Sequence, residues 1–217
     1  GNVGVGTAAP SNSFVVSNGG ALGLEFNPVS GANSGSDILS YNRSSSSYAP
    51  FTIYAQTLEF LAGSSPSQSM YIDANGHVIM PKQTAFLVQK SSTQADLAEN
   101  ETITWDTERF DLNGDFSSNT FTAPVTGKYQ LNMNIRVDNI DSDATYIIFR
   151  LTTSNRAFDS LIDARALDSD PSYWFLSRSE LVDMDANDTA YIHHFYSGGA
   201  EQADVSTNAS FSGYLVA

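Results

Sequence analysis

Between Phe121 and Val137 the chain reads FTAPVTGKYQLNMNIRV. A Pro-x-x-Gly turn leads into a run in which Tyr129, Leu131, Met133, Ile135 and Val137 alternate with Gln130, Asn132, Asn134 and Arg136. Successive side chains on a strand point to opposite faces, so this pattern predicts a strand with one apolar and one polar face, at home in a half-buried antiparallel sheet. From residue 82 onward the apolar runs and turn signals predict strands at 84–90, 101–106, 119–123, 128–137, 145–152, 158–166, 173–183, 189–196 and 208–216. No segment combines helical period with caps. Many short strands separated by turns argue for an all-β sandwich.

Residues 14–80 have a different texture. Short apolar runs (FVV, LGLEF, DILSY, FTIYA, LEFLA, MYIDANGHVIM) are separated by Gly, Ser and Asn clusters, which predicts a β-rich module with many turns. Asn75-Gly76 lies between two apolar runs and signals a tight hairpin of the primed type, which needs positive φ at both central residues. The first thirteen residues, GNVGVGTAAPSNS, form a glycine-rich linker. A phosphate-cradling loop would need a strand before it and a helix after it, and the pattern supplies neither. The expected division is linker 1–13, β-rich module 14–80 and sandwich 81–217, with the boundary at Met80-Pro81. The opening Gly-Asn-Val reads as a piece of a longer chain.

At 217 residues the chain is long enough to bury a sizeable core without staples. It has no cysteine, which removes disulfides, thiolate nucleophiles and thiolate metal sites. Ten Lys plus Arg against 24 Asp plus Glu give a net charge of -14, which repels phosphate backbones and anionic bilayers. Nucleic acid and membrane insertion are therefore not expected, and no apolar run approaches the roughly 20 residues needed to span a bilayer. Asn-x-Ser/Thr sequons at Asn42, Asn100, Asn187 and Asn208 matter only in a secreted eukaryotic setting.

The segment FTAPVTGKYQL resembles the Phe-(five residues)-Gly-x-Tyr-x-apolar signature of the complement-type globular head, a trimeric jelly roll of the tumour necrosis factor superfamily. LVDMDANDTAYIHHF resembles its penultimate hairpin, with Asn187 where the family pattern has Gly, and NASFSGYLVA its closing strand. The resemblance spans residues 84–217, its parts in the expected order, although the spacing between Phe116 and Phe121 is two residues short. GNVGVGT is similar to a linker of phage tail fibres. NGGALGLEFNP, YNRSSSSYAPFTIYA and MYIDANGHVIMP are similar to a trimeric shaft or collar module near the ends of those fibres. Together these imply a homotrimer with Tyr129, Leu131 and Met133 near a threefold axis, with ordinary packing inside one chain as the other reading and the two compatible. They also imply a non-enzymatic receptor-binding tip of a virion tail fibre, adhering to a host surface polysaccharide or an outer-membrane protein. A purely structural trimerisation head and a glycan-degrading tip stand as alternatives.

In an antiparallel succession the turns near 138–144, 167–172 and 197–207 share one end, and those at 124–127, 153–157 and 184–188 the other. The head resemblance makes the first set the exposed apex. Asp138, Asp141 and Asp143 in one apical loop could converge on a hard cation such as calcium, which wants six to eight oxygen ligands. Asp168, Asp170, Glu201 and Asp204 add to the negative field, which suits a cation or a cationic ligand. The same residues also make good turns by hydrogen-bonding their own backbone. Tyr173 and Trp174 start a strand at this end, and one of them, facing outward beside carboxylates, would suit a sugar. His193 and His194 are neighbours on a strand and point to opposite faces, so with His77 elsewhere they make no zinc triad. No Ser–His or Cys–His elbow is present to suggest nucleophilic catalysis.

Overall fold

The computed structural model describes residues 3–5, 14–17, 22–30, 35–42, 44–63 and 65–217. The chain divides into two units, Gly1–Gln56 and Thr57–Ala217. The sequence-based boundary at Met80-Pro81 falls inside the second unit, because residues beyond Thr57 form a small sheet before the sandwich begins.

The first unit is one sheet of β1 (Val3–Val5), β2 (Phe14–Ser17), β3 (Leu22–Ser30), β4 (Gly35–Asn42) and β5 (Ser47–Tyr48), in that spatial order. β1 pairs in parallel with β2; residues 1–2 and 6–13 of the expected linker lie outside the described residues. The expected 14–80 module likewise has residues 18–21, 31–34, 43 and 64 outside them. β3 shifts register between Asn27 and Ser30, across Pro28, which has no amide to give to a ladder.

In the second unit β6 (Leu58–Ala62), β7 (Ser67–Ile72) and β8 (Val78–Ile79) make an antiparallel three-stranded sheet. The expected primed turn is not what joins β7 to β8. Gly76 has positive φ and Asn75 does not. The Asp73 carboxylate instead accepts the Asn75 and His77 amides at 2.8 and 2.9 Å, stretching the connection to five residues, 73–77.

The sandwich follows: β9 (Ala85–Gln89), β10 (Glu101–Thr102), β11 (Thr107–Asp111), β12 (Phe116–Ser117), β13 (Thr120–Thr122), β14 (Gly127–Asp138), β15 (Tyr146–Thr153), β16 (Ala157–Ile162), β17 (Tyr173–Met184), β18 (Thr189–Ser197), β19 (Asp204–Val205) and β20 (Ser210–Leu215). One sheet runs β12-β13-β18-β15-β16 with β10 on β18; the other runs β11-β9-β20-β14-β17 with β19 on β14. The all-β jelly-roll expectation is met. Of the predicted strand 101–106 only the first two residues form a strand, and the strand that follows at Thr107–Asp111 was not predicted. Glu101–Thr102 pairs with β18, while the largely polar TERFD run pairs at the edge with β9 through a bulge. The strand predicted to reach 166 stops at Ile162, and Ala164–Ala166 forms a 3-10 turn. The short Phe116–Phe121 spacing is a two-residue hairpin with Ser118 and Asn119 both at positive φ, the geometry that matches strand twist.

An aromatic cluster anchors the space between the sheets. Phe86 stacks on Phe121 at 4.8 Å and on Phe116 at 5.1 Å, and meets Phe211 edge-on at 5.1 Å. Gly213 is required beside them, since a Cβ there would come within 2.6 Å of Leu131 and 2.8 Å of Phe86. Tyr129, Leu131 and Met133 are fully buried in this intrachain core, and the Tyr129 hydroxyl donates to the Val125 carbonyl at 2.7 Å. Of the two placements expected for these residues, packing inside one copy is the one the structure describes. The outward face of β14 carries Gln130, Asn132, Asn134 and Arg136 instead.

Candidate functional site

The chain enters and leaves the sandwich at one end. Gln83 Nε2 donates to the Leu215 carbonyl at 2.8 Å, and the Lys128 amide to that of Ala217 at 2.7 Å. The 124–127 and 184–188 turns lie here, tied by the Asn187 amide bonding the Ala123 carbonyl at 2.8 Å. Asn187 has φ of 76°, which explains why the family pattern carries Gly at that place and why Asn, which tolerates the left-handed region, can replace it.

The acidic loops gather at the opposite end, as the turn parity predicts. Asp138 closes β14 and faces Tyr173 on one side and Asp204 on the other. Asp170 accepts hydrogen bonds from the Ser142 amide at 2.8 Å, the Ser142 hydroxyl at 2.5 Å and the Gln202 amide group at 3.3 Å, so one carboxylate ties three loops together. The Ser142 hydroxyl and amide, and then Gln202, hold its carboxyl below the usual range. Asp204 accepts from Asn139 at 2.7 Å and from the Asp96 amide at 2.9 Å. Glu201 accepts from the Tyr196 hydroxyl at 2.9 Å, and this hydrogen bond raises the phenol.

The candidate cation loop is organised by its own backbone. Asp141 is buried at 7% exposure and accepts the Asp143 amide at 2.8 Å and the Ala200 amide at 2.5 Å, one per carboxylate oxygen. Gly199, at φ +72°, lies so close to that carboxylate that a Cβ would collide with it. Asp138 is paired with the Arg136 guanidinium at 2.8 Å, while Asp143 is exposed. Among the described residues no group of three or more His, Asp or Glu is arranged to hold a metal ion. Asp106 closes the nearby turn in the same fashion, accepting the Ser91 and Ser92 amides at 2.5 and 3.1 Å. Burial would raise its carboxyl, but the bonds from Ser92 and Ser91 and the Lys90 charge outweigh burial and hold it well below the usual range. These carboxylates spend acceptors on amides that loop geometry leaves unpaired.

What remains accessible is an aromatic edge. Tyr173 is 59%, Trp174 43% and Phe175 55% exposed. Alternation predicts one of Tyr173 and Trp174 in the core; neither is, at the start of the last strand of its sheet. Tyr173 and Phe175 share the outward face with Arg136, whose guanidinium lies 5.3 Å from the Tyr173 ring centre and also holds Asp138. Flat rings beside carboxylates suit a ligand with both apolar C–H faces and hydroxyl or cationic donors. Asp168 is exposed and makes no side-chain hydrogen bond among the described residues. Phe175 and Arg136 were not expected here; the signal was the β14–β17 register, which a single strand's alternation does not carry.

His194 is packed and His193 half-buried. The His194 Nδ1 lies 3.2 Å from the Ala98 carbonyl, and burial lowers its pKa against the opposing carboxylates of Glu99 and Glu101. Among the described residues no helix is long and apolar enough to cross a membrane.

A family model for the C1q domain matches residues 85–216. No curated protein matches the chain. Among solved structures, the globular domain of zebrafish complement 1qA is similar at 18% identity and TM-score 0.47, over 62% of this chain and 98% of that one. Murine APRIL, crystallised at pH 8.5, is similar at 10% identity and TM-score 0.46, over 62% of this chain and all of its own.

Proposed function

This chain belongs to the C1q domain family over residues 85–216, and from that premise we propose that it is the homotrimeric receptor-binding tip of a bacteriophage tail fibre, adhering to a host surface polysaccharide. C1q domains are typically non-enzymatic trimeric binding heads. The fibre setting is supported by the GNVGVGT linker and by the shaft-like words of residues 14–80. The observation that carries the adhesive reading is the exposed edge of Tyr173, Trp174 and Phe175 beside the acidic loops, at the end opposite to where the chain enters and leaves the sandwich. Three weak sites on one tip gain avidity by engaging several surface molecules at once.

The test is binding of the purified full chain to host cells and to a glycan array, with Tyr173→Ala plus Phe175→Ala as comparison. Loss of two exposed rings is expected to weaken binding by about tenfold or more with the oligomer unchanged. Undiminished binding by that variant would place recognition elsewhere. Release of reducing ends from the polysaccharide would replace adhesion by hydrolysis, and absence of any binding would leave a purely structural head.

A further inference from the structure

The sheet β12-β13-β18-β15-β16 covers the core with one face and turns the other outward. On its central strand β18, Ala190, Ile192 and His194 are buried, so Tyr191, His193 and Phe195 point away from the core and stay half-buried. Successive ring centres in this row are 4.4 and 5.8 Å apart. The register sets Thr152 beside Tyr191 and Arg150 beside His193. The Arg150 guanidinium lies 4.5 Å from the Phe195 ring centre and donates to Asp159 from Nε at 2.5 Å and from Nη2 at 3.0 Å, which leaves Nη1 over. Other polar tips are unpaired too. Among the described residues the Tyr191 hydroxyl, the His193 ring nitrogens and the Thr152 hydroxyl make no hydrogen bond.

We propose that this face is a second binding site of the head, which takes a linear, uncharged polysaccharide along β18. Charge selects that occupant. Asp159 matches the Arg150 charge, while burial, and after it the Arg150 charge, lowers the pKa of His193 and leaves its ring neutral at pH 7. The row is therefore electrically balanced in a chain of -14, whose field repels acidic glycans, and it adds no unpaired carboxylate to hold a cationic one. What it offers is ring surface for C–H faces, with fixed donors and acceptors for hydroxyls. From Tyr191 to Phe195 the strand advances about 13 Å, farther than one sugar ring reaches. Several units of a chain are needed to cover the row. The apical site is not a premise here, since the flank binds whether or not the apex does.

The chain has three histidines, so modification by diethyl pyrocarbonate, mapped by mass spectrometry, reads this face directly. His194 is 1% exposed, and His77, between β7 and β8, serves as the internal standard. The probes are linear hexasaccharides of glucose, mannose and galactose, with an oligouronate of equal length and the parent monosaccharides as controls. At about ten times its Kd, a neutral hexasaccharide is expected to slow modification of His193 about tenfold, as the free fraction falls by that factor, and to leave His77 unchanged. Neither control should protect at the same concentration. Tyr191→Ala should abolish the protection, and Tyr173→Ala with Phe175→Ala should keep it. Failure of every neutral hexasaccharide to protect His193 in the unaltered chain overturns the proposal and leaves adhesion through the apex standing. Protection lost in the apical double variant overturns it as well, because one site would then account for both effects. A His193 rate that falls with rising protein concentration, without sugar, would mean that another copy covers the face, and would overturn it too.

Discussion

The sandwich and the small sheet that precedes it use the same strand chemistry and end in opposite states. From Phe86 onward the apolar residues of alternating strands close over one another, and Phe121, Tyr129, Met133, Phe149 and Phe211 are fully buried. Between Leu58 and Ile79 apolar residues also alternate, apart from a register shift between Phe60 and Leu61, yet no described residue is buried. The sandwich has a second sheet to supply the missing half of its core, whereas the described side chains of the small sheet are left partly or fully exposed. Apolar periodicity thus states that a face will be covered; whether by the same chain or another depends on what topology brings opposite it.

The sharpest way to break this contrast is to remove the same ring from each region. Phe121→Ala is expected to cost about 3–5 kcal/mol, because the other rings cannot collapse into the space. Phe60→Ala should leave the sandwich's own denaturant transition within about 0.5 kcal/mol of the parent, as substitutions at exposed sites do. Equal losses on urea unfolding would mean that the small sheet is as much a part of one core as the sandwich strands are.

A smaller effect asks whether the apical loops are as determined as the core. Gly199→Ala puts a Cβ against the Asp141 carboxylate at a residue with φ of +72°, so it should cost about 1–3 kcal/mol. Because Asp141 already serves two backbone amides, the drop in melting temperature should be the same in calcium and in chelator. A calcium-dependent difference would place a cation at this loop.

The gentlest test uses protons. Burial depresses the folded-state pKa of His194 below the 6.5 of an exposed imidazole, so the unfolded chain binds the proton more readily. The stability at stake is therefore full above pH 6.5 and declines as pH falls toward the folded value. Melting temperature should drop between pH 7.5 and 5, with Glu99 and Glu101 moderating the loss, and His194→Phe should narrow the difference. An unaltered pH dependence in that variant would assign the drop to other groups.

Much of the sandwich was legible because its signals are local. The Pro-x-x-Gly turn and the run to Val137 matched β14 to within a residue or so, and turn parity brought Asp138, Asp170, Glu201 and Asp204 to one end. What alternation does not encode is the identity of the covering layer, which is why Tyr129, Leu131 and Met133 read equally as core of one chain or as a contact between chains. Strand order was equally invisible: Trp174 is exposed at the start of the edge strand β17, and β11 as an edge tolerates the polar run TERFD. The role of Asp141 depended on an amide nearly sixty residues away, at Ala200, which no motif within either loop announces.

β20 lies in the middle of its sheet, hydrogen-bonded to β9 on one side and to β14 on the other. During synthesis this gives the sandwich a late keystone. Until residues 210–215 have left the ribosome, β9 and β14 have no strand to join them, and Phe86 lacks Phe211, which follows its other ring partners Phe116 and Phe121 in chain order. Pairing across so long a stretch is slow, and the waiting chain exposes strand edges and aromatic side chains. Copies made close together on one message would be exposed together, so the interval before β20 arrives is when correct association and misassembly compete.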